Sequence, residues 1–123
     1  MAWCQWLYSS RTQYLGFTVG AATVLLATLL PVSEIATPPG SDKLHHVLGF
    51  AFWASLCAWG SSLRYFVFAS IIIALGGAIE LIQPFVHRHG EWNDFWADTA
   101  GVALASLLHL VIRHVKKRGT NTA

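Results

Sequence analysis

The residues able to do chemistry crowd into two short stretches. Residues 80–101 hold Glu80, Glu91, Asp94 and Asp98, four of the six acidic residues in the chain. Asp94 and Asp98 are four apart, so on a helix they share a face. Glu80 and Gln83 are three apart and share a face in the same way. Upstream, Asp42-Lys43-Leu44-His45-His46 opens an apolar run. His46 follows Asp42 by four, within hydrogen-bond reach along a helix. His45 and His46 point about 100° apart, so one of them should face inward. Imidazoles and carboxyl groups in apolar surroundings can trade protons near neutral pH, which makes His46 with Glu80 or Asp98 a candidate acid–base pair. Blander roles stay open: Asp42 as a helix cap, Lys43 as an interfacial anchor, Glu80 as a tie to Lys43 or Arg88.

Arg88 follows Pro84 in the same stretch, between His87 and His89. Its planar fork suits a phosphate or carboxylate, held bidentately. A lone loop arginine is usually a solvated charge. Lys43 and Arg88 with up to four histidines at one level are better company for the phosphate of a lipid. His45, His46, Glu80, Asp94 and Asp98 offer nitrogen and oxygen ligands, but no HExxH or similar spacing supports a metal. Neither a metal nor another cofactor is expected. Covalent catalysis is disfavoured: Cys57 lies too far from the cluster along its helix, and Ser41 has no clear orienting triad.

These groups must be positioned by apolar elements. The chain has 123 residues, 54% hydrophobic and 11% charged, with a mean hydropathy of +0.50. Soluble domains carry about 25% charged residues, so a membrane protein of one domain is the reading. Four apolar runs, residues 14–32, 44–60, 63–82 and 95–112, predict four transmembrane helices in an all-α fold. Residues 1–13, aromatic and amphipathic, should lie at the interface. The first run is longer than a signal-peptide core, so a retained span is favoured over a cleaved leader. Pro38-Pro39-Gly40 marks a loop, Ser41 or Asp42 should cap the next helix, and Pro84 should stop the third. The two cysteines, Cys4 and Cys57, make no metal-spaced pair and are expected as free thiols. No nucleic-acid module is present.

Orientation follows from Lys and Arg. Arg11, Arg64, Arg113, Lys116, Lys117 and Arg118 flank one side; Lys43 and Arg88 flank the other. The positive-inside rule puts the first group, and both termini, in the cytoplasm. Every acidic residue then falls on or near the outer side, with His45, His46, His87 and His89.

The order Asp42-Lys43-x-x-His46, Glu80-x-x-Gln83, Arg88, Asp94 and Gly101 on apolar helices resembles the VanZ-like family, over roughly residues 41–105. Its pattern has D-K-x-x-H, then E-x-x-Q, then R, D, N and G leading into the last span. Asp98 stands where the family usually has asparagine. The resemblance implies an integral membrane protein of the cell envelope, linked by family name to teicoplanin resistance, and supplies no reaction.

Three functions are compatible with this pattern. In the first, Lys43, Arg88 and Gln83 hold the phosphorylated headgroup of a membrane lipid, such as a polyprenyl-phosphate-linked cell-wall intermediate, with Asp42 and Asp94 orienting them. In the second, His46 with Glu80 or Asp98 catalyses phosphoryl transfer, acyl transfer or hydrolysis at that headgroup. In the third, a homo-oligomer moves lipid or solute across the inner (cytoplasmic) membrane. Carboxylates at the outer edge rather than mid-membrane count against transport.

Overall fold

The computed structural model describes residues 9–30 and 40–121. The expected interfacial segment, 1–13, and the Pro38-Pro39 loop fall largely outside them. The described chain is helical: α1 is Ser10–Leu29, α2 Ser41–Leu56, α3 Ser62–Ile82 and α4 Trp92–Asn121, with a 3-10 turn at Gln83–Val86. Three segments are long and apolar enough to cross a membrane: Ser10–Leu29, Ser62–Val86 and Trp92–Gly119. They mark a multi-pass membrane protein.

The second expected span differs. Its α-helix covers 16 residues and ends at Leu56, about 24 Å at 1.5 Å per residue. That is short of a hydrocarbon core of about 30 Å. The apolar run through residue 60 misled the length estimate, because Cys57 and Ala58 leave the helix in turns. The expected caps, Ser41 and Asp42, lie one and two residues inside the helix, whose N-cap is Gly40 in the left-handed region.

Local signals set the other ends. Ser9 caps α1 by accepting from the Thr12 N–H at 3.3 Å. Ser61 caps α3 by accepting from the Arg64 N–H at 3.3 Å. Pro84 cannot donate within a helix, and α3 tightens into the 3-10 turn that contains it. His87 then closes the turn in the left-handed region, φ 59°.

The core is apolar and aromatic: Phe50, Trp53, Ala54, Tyr65, Phe68, Ile72, Ile79 and Val102 are buried. Trp53 is fully buried, packs against Phe17 and donates its indole N–H to the Phe17 carbonyl at 2.9 Å. Outward, Leu15, Val19 and Leu26 of α1, Val67 and Ile71 of α3, and Leu104, Leu108 and Val111 of α4 are exposed. Apolar outside and inside is the pattern of helices solvated by lipid.

The helices alternate in direction. The start of α1 meets the end of α2 and the start of α3 through Gln13, Cys57 and Ser61. The far end of α1 meets the turn after α3 through Leu30 and Arg88. The start of α2 meets the start of α4 through Lys43 and Asp94. α2 packs most extensively against α4. Gly101 allows this: a Cβ there would collide with the Val47 carbonyl.

Candidate functional site

The close α2–α4 approach brings His46 beside Asp98. His46 Nδ1 lies 2.8 Å from Asp98 Oδ1, and the two side chains are 7% and 0% exposed. His46 Nε2 lies 3.8 Å from Asp94 Oδ2. With the proton on Nδ1, His46 donates to Asp98, and Nε2 becomes the free acceptor facing Asp94. A carboxylate behind one ring nitrogen fixes the tautomer and leaves the other for a proton or a ligand. Helical spacing does the rest: Asp94 and Asp98 are one turn apart on α4, and both are buried. His45, one residue from His46, is exposed, as are His87 and His89.

Lys43 is the rim of the cluster. Its ammonium lies 3.2 Å from Asp94 Oδ1 and 3.3 Å from Glu91 Oε2, with the lysine side chain 46% exposed. Hydrogen bonds to Asp94 and then Glu91 hold the ammonium above the usual lysine range. A raised pKa means that this tie is fully present below the ordinary lysine pKa of about 10.4 and is lost only as pH rises past the shifted value. It is constant through neutral pH. Asp42, in the first turn of α2, is exposed at the same level.

Glu80 closes the cluster from α3. It is 5% exposed, and its Oε2 accepts from the Glu91 backbone N–H at 2.8 Å. The Gln83 amide lies between three acceptors. Turned one way, its nitrogen donates to Glu80 Oε2 at 3.1 Å and to the His89 carbonyl at 3.2 Å; turned the other way, it reaches the Thr28 carbonyl at 3.4 Å. The first satisfies two acceptors at better distances and is the one we adopt. Gln83 thereby braces Glu80 from within. Two oxygens stay unmatched: Glu80 Oε1 and Asp98 Oδ2 are buried without a hydrogen-bond partner among the described residues. A buried acceptor left so costs about 1–3 kcal/mol, and more when charged.

Arg88 is drawn elsewhere. Its backbone N–H donates to the Gln83 carbonyl at 3.0 Å, and its guanidinium donates to the Leu30 carbonyl at 3.3 Å. Among the described residues it makes no ion pair with the carboxylates. The structure thus joins Lys43, His46, Glu80, Gln83, Asp94 and Asp98; Asp42, exposed, brings a carboxylate oxygen within 4.8 Å of His46 and Asp94, and Arg88 stays at the edge.

Two participants were given no role from the sequence. Glu91 was counted only among the acidic residues, although its spacing of three before Asp94 could have flagged it. The other is Gly76: a Cβ there would sit 3.1 Å from Asp98 Oδ2, so its lack of a side chain makes room for that carboxylate. Beside the cluster, a groove of about 480 Å³ between α3 and α4 is lined by Ala74, Gly77, Ala78, Leu81, Trp92 and Phe95.

This fold and site define a multi-pass helical membrane protein with a buried histidine–carboxylate cluster at one end. Compared with known proteins, the chain matches no protein-family model, no curated protein and no solved structure.

Proposed function

We propose that this chain is a VanZ-like protein of the cytoplasmic membrane whose polar end faces the cell exterior and engages the headgroup of a phosphorylated lipid, such as a polyprenyl-linked cell-wall intermediate. In this reading all four helices cross the membrane and both termini are cytoplasmic. The alternating helix directions support it, as does the gathering of Arg64 and Arg113 at the opposite end. Asp94 and Arg113 are 19 residues apart on α4, about 28 Å, close to the thickness of the hydrocarbon core. The shorter α2 needs only local thinning or turns that reach the interface.

One observation carries the headgroup reading. A half-exposed ammonium, Lys43, stands at the rim of a buried carboxylate–imidazole cluster, beside a lipid-facing apolar groove. A headgroup with its chain in the groove fits that pairing of polar end and apolar flank. Engagement of such a lipid would lower glycopeptide sensitivity or assist envelope assembly. The test is mass spectrometry of co-purifying lipid. The parent should retain a phosphorylated isoprenoid that Lys43→Ala or Arg88→Ala loses; equal lipid profiles in all three would refute the reading.

The His46–Asp98 contact favours a second reading, catalysis at the same headgroup. A histidine oriented by a buried carboxylate can act as general base for transfer or hydrolysis. His46→Ala would then abolish turnover while the lipid still co-purifies.

A further inference from the structure

We propose that His46, Glu80 and Asp98 together bind one divalent transition-metal ion, of the Zn²⁺ or Mn²⁺ type. One ligand atom from each of the three side chains lies within 4.8 Å of the other two. Ligands about 2.0–2.2 Å from a common ion stand about 3–4 Å apart, so small side-chain rotations close the set. One imidazole with two carboxylates suits this class of ion better than Ca²⁺ or Cu⁺.

The second, independent observation is the pair of unmatched oxygens. Asp98 is fully buried and Glu80 is 5% exposed, yet among the described residues Asp98 Oδ2 and Glu80 Oε1 have no hydrogen-bond partner. Asp98 Oδ2 faces α3 at Gly76, one helical turn before Glu80 on the same helix. The two carboxylates therefore approach each other across the α3–α4 contact, each with one oxygen to spare. Glu80 Oε2 is held by the Glu91 N–H; Asp98 Oδ1 lies against His46 Nδ1, and an ion on Nδ1 would replace the proton between them, which then sits on Nε2 facing Asp94. A carboxylate held through one oxygen and open at the other is how metal-site ligands are braced.

Charge leads to the same conclusion. Glu80, Asp94 and Asp98 are all buried. Lys43 reaches Asp94 but, among the described residues, makes no ion pair with the other two. Buried anions are tolerated when paired or bound to a metal. A dication would balance both inner carboxylates, with Asp94 beside the second imidazole nitrogen. No spacing motif announces this set, because its three ligands come from three helices. The ion would also give a phosphate a second positive partner beside Lys43. That step rests on the headgroup reading; metal binding itself does not.

The experiment uses the full chain in detergent, stripped by chelator and titrated with Zn²⁺ or Mn²⁺ in the absence of lipid. Metal retained after desalting is measured by elemental analysis, and the Mn²⁺ form by electron paramagnetic resonance. We expect about one ion per chain, with a raised melting temperature. Asp98→Asn and Glu80→Gln should each bind at least about tenfold more weakly, and Glu91→Gln should bind like the parent. Helix content by circular dichroism verifies folding. Absence of saturable binding by the parent overturns the proposal whatever the variants do, and so does equal binding by Asp98→Asn. A protonated-carboxyl infrared band in metal-treated parent, lost in Asp98→Asn, would mean that the two acids share a proton instead. Metal binding without lipid retention would sink only the headgroup reading.

Discussion

The two ends of the bundle solve the same problem differently. At one end Gln13 is fully buried, and both ends of its amide are used. Its nitrogen donates to the Cys57 carbonyl at 3.1 Å and to the Ser61 carbonyl at 3.0 Å, and its oxygen accepts from Arg64 at 2.8 Å. Arg113 donates to the Gly60 carbonyl, and His109 lies 3.2 Å from the Ser62 hydroxyl, stacked on Tyr65. At the other end the polar groups are mostly carboxylates, and among the described residues two of their buried oxygens are left over. A network that satisfies itself holds helices together. One that leaves charge unmatched is built to meet something else, at a cost in stability.

That contrast can be broken by substitution. The largest effect should come from Gly101→Val, which forces α2 from α4 against the Val47 carbonyl. Overpacking of this kind costs about 3 kcal/mol, read as a lower melting temperature in detergent, and the His46–Asp98 contact should be lost with it. Next, Gln13→Ala strands Arg64 and two carbonyls at the satisfied end. A loss of about 2–3 kcal/mol is expected, with lipid retention unchanged in the fraction that stays folded. Asp98→Asn should do the opposite. It removes one of several crowded anions, so metal-free stability should hold within about 1 kcal/mol or rise, while function is lost. A large loss of stability in Asp98→Asn would make both ends structural and erase the contrast. Last, Lys43→Ala loses an exposed pair with Glu91, which contributes little, but also takes the cation from the buried Asp94 carboxylate, so a modest fall in melting temperature is expected. Its main effect should appear in lipid retention.

Much of this was legible in the chain. Helical periodicity alone put Asp94 and Asp98 on one face, and the hundred-degree step between His45 and His46 required one to turn inward; His46 is the buried one. Pro84 and the apolar runs located the ends of α3. The length of α2 was not legible, because residues 57–60 are as apolar as a helix but leave it in turns. The direction of Arg88 was also hidden. A guanidinium can choose a carbonyl on a distant helix, as it does with Leu30, and spacing says nothing about that. Gln13 escaped notice for the same reason: its partners lie 44 and 48 residues away.

α4 runs for 30 residues, about 45 Å, well beyond what a bilayer core requires. In the proposed orientation its cationic tip, from Arg113 to Arg118, would be drawn to the anionic surface of the inner leaflet. A stiff rod anchored at its foot works as a depth gauge, setting how far its other end rises. Bilayers of longer-chain lipids should therefore submerge His46 and Asp98 while thinner ones lift them toward water, so this protein's working range should follow the chain length of the lipids around it.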